Sequence, residues 1–198
     1  MHRMAKELSN GLYPAIGEFA VSFEAISHAI RMGITDVLEK NGLKNHRLSD
    51  ILVGDLTMQP LQAIYRSLLS ETETLEPTEV AVLDDIFKRV CQLAEHRNRI
   101  LHSAWFIDFK NTNDLRNRLL LSYKPGRTKK GAKECPSMVP MQEIRDVTKE
   151  AIVVNDLIHE VNMCVYTGTK IGRRFKMDGQ GRVTAIGTLD DYVSKKKK

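Results

Sequence analysis

Glu95-His96-Arg97-Asn98-Arg99-Ile100-Leu101-His102-Ser103-Ala104-Trp105 closes a long helical pattern, and its reading decides the fold. At about 100° per residue, Leu83, Ile86, Phe87, Val90, Leu93, Ala94, Ile100, Leu101, Ala104 and Trp105 fall within about 140° of one another. Arg97 lands in the middle of that apolar stripe, one heptad from Val90 and from Ala104. A guanidinium does not give up its charge, so this position needs an anion, a partner or water. A head that snorkels to solvent at the end of a bundle meets the same need. Asn98 and His102 are four residues apart and share one flank of the stripe. The pattern predicts one helix that runs through Trp105 and gathers a guanidinium, an amide and an imidazole along one edge.

Outward from this stretch, the chain reads as mainly helical. Pro14 can open a helix at its first turn, where its missing N–H costs nothing. Residues 1–12 then form a lead-in. Apolar positions from Ile16 to Leu38 repeat at helical spacing, and Gly42 stops the run. Glu24 lies near the edge of this stripe. It is either a solvated flank residue or an acid that pairs with Arg97 or orients His102. Leu48 to Val53 forms a short helix ended by Gly54. Thr57 caps another, with Leu61, Ile64, Tyr65, Leu68 and Leu69 apolar. After a polar linker, Pro77 or Thr78 opens the helix that carries the quoted stretch.

Beyond Trp105 the pattern changes. Asn111 to Asp114 is turn-forming, and Leu119 to Lys124 reads as a strand. Pro125-Gly126 is a turn signal, with a return strand within Thr128 to Met138. Basic residues crowd this hairpin, among them Arg116, Arg118, Lys124, Arg127, Lys129, Lys130 and Lys133. They serve either as a solubilising loop or as an arm that contacts phosphates. Pro140 to Tyr166 is the last helix, with Ile144, Val147, Ala151, Val154, Leu157, Ile158, Val161 and Val165 as its stripe. Residues 168–198 are expected to be a basic, mobile tail, with one possible strand at Arg182 to Gly187.

The chain has 198 residues, 42% hydrophobic and 28% charged, which suits one globular domain with a real core. No run approaches the ~20 apolar residues of a membrane span, and the N-terminal stretch lacks the apolar region of a secretory signal. Cys91, Cys135 and Cys164 have no metal-type spacing and cannot all pair within one chain, so reduced thiols and a cytoplasmic location are expected. The net charge of +5 and pI near 9.1 lean toward a polyanionic partner. There is no P-loop, dinucleotide glycine pattern, HExxH or nucleophile elbow. The six histidines show no zinc spacing. Chemistry without a cofactor or metal is expected, run on ordinary side chains.

Arg97-Asn98 followed by His102 resembles the HEPN superfamily. Its signature is an Arg, a polar residue directly after it, and a His four to six residues further on. The resemblance covers roughly residues 9–167, with 116–138 as a basic hairpin insertion. It implies an up-and-down bundle of four to five helices, with a small β-hairpin before the last helix. It also implies a homodimer in which two Arg/His pairs face one cleft. Many family members are metal-independent ribonucleases in toxin–antitoxin or anti-phage systems, and some travel with an antitoxin or a nucleotidyltransferase-like partner. On that analogy Arg97, Asn98 and His102 are catalytic, and Glu24, Glu95 and Trp105 support them. RNA contacts then fall to Arg99, Arg116, Arg118, Lys124, Arg127, Lys129 and Lys130. The alternative is an inactive module that binds RNA or a protein partner.

Overall fold

A computed structural model describes the backbone of residues 2–107, 119–128 and 131–186, and the side chains of 11–103 and 141–186. Five helices carry most of it: α1 (His2–Lys40), α2 (His46–Val53), α3 (Met58–Thr72), α4 (Pro77–Leu101) and α5 (Met141–Thr167). Between α4 and α5 lie β1 (Ala104–Ile107), β2 (Leu119–Thr128) and β3 (Gly131–Pro140). They form an antiparallel sheet in the order β1-β2-β3. After α5 come a 3-10 turn, Ile171–Arg173, and an antiparallel pair, β4 (Phe175–Met177) and β5 (Val183–Ala185). The chain is therefore mainly α, with a small hairpin before the last helix.

Two compact units share these elements. The first comprises Met1–Phe23 and Gln92–Ile152, the second Glu24–Cys91 and Val153–Lys198. In the first unit, Leu12, Phe19 and Phe23 of α1, Leu93 and Ile100 of α4, and Ile144 and Ala151 of α5 are buried. Apart from Leu12, which the sequence reading left in the lead-in, these are residues that helical periodicity assigns to the inner faces. In the second unit the buried set includes Ile26, Ile30 and Ile34 of α1, Leu61 and Leu69 of α3, Ile86 and Val90 of α4, and Val154 and Val161 of α5.

Polar pins hold the second unit in register. The fully buried Tyr65 hydroxyl donates to Asn162 Oδ1 at 2.5 Å, and Asn162 Nδ2 donates to the Ala29 carbonyl at 2.8 Å. One pair of side chains thus ties α3, α5 and α1, and each buried polar atom in it has a partner. Gly33 makes room for this pin, because a Cβ there would stand 2.6 Å from the Tyr65 ring and hydroxyl and closer still to Asn162. Helix α2 is fixed by its polar side. Ser49 Oγ lies 2.7 Å from Thr35 Oγ1, and Arg31 donates to the Val53 and Leu56 carbonyls at 3.2 and 3.0 Å. The outer side of α2 exposes Leu48, Ile51 and Leu52.

Four expectations are corrected. First, Pro14 does not open α1: the helix begins at His2 and runs through it, giving up the one N–H a proline lacks. Second, α4 stops at Leu101, and Ala104 and Trp105 belong to β1, opposite Tyr123 and Ser122. Third, Pro125-Gly126 is not the turn, since these residues pair with Glu134 and Lys133 in a ladder that continues to Thr128. Among the described residues β1 pairs with β2 no further than Tyr123, so at Pro125 only β3 pairs with β2, and a missing donor is tolerated at such an edge. Fourth, the segment after Gly168 is not all tail. Residues 171–185 form the 3-10 turn and the β4–β5 pair, with Ile171, Phe175 and Val183 buried. Asn111 to Asp114 and residues 187–198 lie outside the described residues.

Gly33 and Gly17 should respond oppositely to alanine. Gly33→Ala is expected to lower stability by about 1–3 kcal/mol, because an aromatic ring must move. Gly17→Ala, with nothing within 4 Å of its added Cβ, should raise stability by about 0.5–1 kcal/mol. Urea unfolding of the two variants checks both signs.

Candidate functional site

The end of α4 in the first unit assembles the candidate site. Ser103 Oγ donates to the Arg99 carbonyl and closes the last turn. His102 follows as a turn residue rather than as part of the helix. Arg97 projects from the stripe between Leu93 and Ile100, both buried, and is itself half-buried. Its head runs toward the end of the helix, where Nη1 meets His102 Nε2 at 2.8 Å and Asn98 Oδ1 at 3.4 Å. Asn98 and His102 are exposed. The three residues singled out from the sequence therefore do come together, on the flank their spacing predicts.

A guanidinium nitrogen can only donate. In that contact Nε2 of His102 can only be the acceptor. Arg97 and a substrate proton would compete for the same lone pair. An anion that draws Arg97 away leaves a base at Nε2, while the guanidinium supplies donors to that anion.

The opposite flank of α4 holds a second imidazole–guanidinium contact that sequence reasoning missed. Arg99 Nη2 donates to His96 Nδ1 at 2.9 Å and pairs with Glu143 of α5. His96 Nδ1 is also 3.8 Å from Glu143 Oε1. That longer contact favours a protonated ring, the shorter one a neutral ring. Partial burial first, and Arg99 second, hold the His96 pKa below its ordinary 6.5 against the pull of Glu143 and Glu95. Arg99, expected at an RNA phosphate, is paired with a carboxylate. The signal for this cluster was only the i,i+3 spacing of His96 and Arg99, since Glu143 lies beyond the sheet.

The supporting residues are placed less tightly. Glu95 is exposed on α4, and Glu24 is exposed on the second-unit part of α1. Trp105 sits in β1, and Lys124 and Arg127 sit in β2 opposite Cys135 and Ala132, with side chains outside the described set. Arg116, Arg118, Lys129 and Lys130 lie outside the described residues altogether.

In the second unit, charged residues anchor the C-terminal segment. Glu79, on the stripe with Val82 and Leu83, accepts from Glu76 N at 3.0 Å and Gly172 N at 2.9 Å. The first contact is the reach-back of a capping box. Arg89 donates to the Val183 carbonyl at 3.1 Å, and Asp85 accepts from Val183 N at 3.1 Å. Glu160 accepts from Arg174 at 2.7 Å. Glu79 and Arg89 carried the same signal as Arg97, a charge on an apolar stripe.

The second unit also holds a pocket of about 300 Å³, lined by residues that include Thr72, Glu73, Glu79, Cys164 and Lys170. Burial pushes the Cys164 thiol up to about 11, so it stays protonated near neutrality and is a poor nucleophile. Among the described residues no three His, Cys, Asp or Glu side chains converge as a metal site. None of the described helices is long and apolar enough to cross a membrane.

Comparison of the chain with protein-family models, with curated proteins and with solved structures finds no match.

The His96 shift sets a sign for stability against pH. The unfolded chain takes up this proton near 6.5, and the folded chain only at lower pH. The contribution of His96 is therefore whole above 6.5 and is lost as pH falls through the window below it. His96→Asn should flatten that part of the curve, as read from urea midpoints between about pH 7.5 and 5.

Proposed function

We propose that the chain is a metal-independent RNA endonuclease of HEPN type, acting as a homodimer in the cytoplasm. The observation that carries this reading is the 2.8 Å contact between Arg97 and His102 at the exposed end of α4. It brings a permanent cation and an imidazole to one point, which suits cleavage through the ribose 2′-hydroxyl. Only RNA offers that internal nucleophile.

In this reaction a substrate phosphate takes the Arg97 guanidinium from His102. The freed Nε2 accepts the 2′-hydroxyl proton, and the 2′-oxygen attacks the adjacent phosphorus. The bond to the 5′-oxygen breaks, and that oxygen receives a proton from the acid partner. The products are a 2′,3′-cyclic phosphate and a 5′-hydroxyl. Arg97 stabilises the extra charge of the pentacoordinate state, and Asn98 orients the phosphate. A second copy supplies the other imidazole, so one His102 serves as base and its symmetry mate as acid. Both guanidinium groups then meet at the bound phosphate, which offsets the repulsion between them. The up-and-down HEPN bundle belongs to this proposal. So do the basic arm of Arg116, Arg118, Lys124, Arg127, Lys129 and Lys130, a toxin–antitoxin or anti-phage setting, and an antitoxin or nucleotidyltransferase-like partner.

One observation favours a second reading. The His102 lone pair is already occupied by Arg97, as suits a module that binds RNA or protein without cutting.

Incubation of the purified chain with RNA in EDTA separates the two. The nuclease reading expects fragments ending in 2′,3′-cyclic phosphate, and a loss of about 10²–10⁴-fold in cleavage rate for His102→Ala. RNA retained without fragments supports the binding module, and cleavage unchanged in His102→Ala removes the residue from the mechanism.

A further inference from the structure

His96, Arg99 and Glu143 lie outside the candidate site and join two elements that the sheet separates in sequence. The side chains of His96, Arg99 and Glu143 are 35%, 34% and 31% exposed. None is sealed in the core, and each can exchange partners with solvent at hand. Glu143 stands in the first turn of α5, three residues after β3 ends at Pro140, where the helix dipole favours its negative charge.

We propose that these three side chains form a proton-operated latch between α4 and α5, in which Glu143 passes from Arg99 to His96 when the imidazole takes up a proton. Two arrangements follow from these contacts. With a neutral ring, Arg99 Nη2 donates to Nδ1 at 2.9 Å and also holds Glu143. A proton on Nδ1 removes the acceptor and places two cations at that separation, so the Arg99–His96 contact turns repulsive. Glu143 Oε1 stands 3.8 Å from the same nitrogen. A shift of about 1 Å brings it to hydrogen-bonding distance. Among the described residues, the charged groups acting on the ring are Arg99 and Glu95 of α4 and Glu143 of α5. The two carboxylates favour the proton and Arg99 opposes it, so release of Arg99 is what relieves the protonated state.

Arg99 is the member that leaves, because its long stem reaches solvent while the imidazole is short and sits beside the carboxylate. Acid therefore uncovers a guanidinium at the end of α4 that is engaged at neutral pH. The freed group is an anion contact gated by a proton. This inference stands on its own distances and does not depend on catalysis by Arg97 and His102.

NMR on the full chain tests it directly. The His96 ring C–H and the Arg99 Nε–H are followed from about pH 7.5 to 5, with assignments from His96→Gln and Arg99→Lys. The latch predicts that both signals move with one shared midpoint below 6.5. It predicts a higher His96 midpoint in Arg99→Gln, a lower one in Glu143→Gln, and an Arg99 signal that stays flat in His96→Gln. An Arg99 signal that stays still while His96 titrates would overturn the handover. So would a His96 midpoint at or above 6.5, because the ring would then already belong to Glu143.

Discussion

Arg97 cannot be neutralised and cannot be hidden. Its Cα lies on the apolar stripe of α4, between Leu93 and Ile100, and its head escapes along the helix to His102. That constraint shapes what surrounds it. The helix has to end close by, so that the head reaches a polar rim rather than another turn of core. Ser103 closes the turn on the Arg99 carbonyl, His102 takes the guanidinium, and β1 starts at Ala104. A leucine at position 97 would suit the stripe better, and a leucine would have no reason to meet an imidazole.

Charges on apolar stripes recur in the second unit, with a different outcome. Glu79, Arg89 and Glu160 are each about 95% buried or more. Each is spent on chain outside the five helices: Glu79 on Gly172 N, Arg89 on the Val183 carbonyl and Glu160 on Arg174. These contacts hold the C-terminal segment on the helices, and removing one partner would leave a buried charge or backbone group unpaired. Arg97 is unlike them. It meets the exposed side chain of His102, five residues away.

Much of the helical frame was legible because periodicity is a local signal. The stripe of α5 from Ile144 to Val165 is buried as the spacing predicts, and the α3 positions Leu61, Tyr65 and Leu69 are buried too. The meeting of Arg97, Asn98 and His102 was legible for the same reason, because six residues on one helix end carry it. What failed needed information from elsewhere in the chain. Residues 102–105 fit a helical wheel, and only pairing with β2 makes Ala104 and Trp105 a strand. Pro125-Gly126 is a turn signal in isolation, and the ladder to Glu134 and Lys133 overrides it. The segment after Gly168 reads as polar and glycine-rich. Ile171, Phe175 and Val183 are buried there, beside anchors on α4 and α5 that lie far away in the sequence. His96 and Glu143 stand 47 positions apart in the sequence, so no local pattern joins them.

The proposed chemistry needs the Arg97–His102 contact to be a displaceable donor–acceptor pair. The ¹⁵N shifts of the His102 ring read it directly. Near neutral pH the account predicts a ring protonated at Nδ1, with Nε2 accepting from Arg97. It also predicts a change at Nε2 when inorganic phosphate is added and draws the guanidinium away. A ring protonated at Nε2, or shifts indifferent to phosphate, would contradict it.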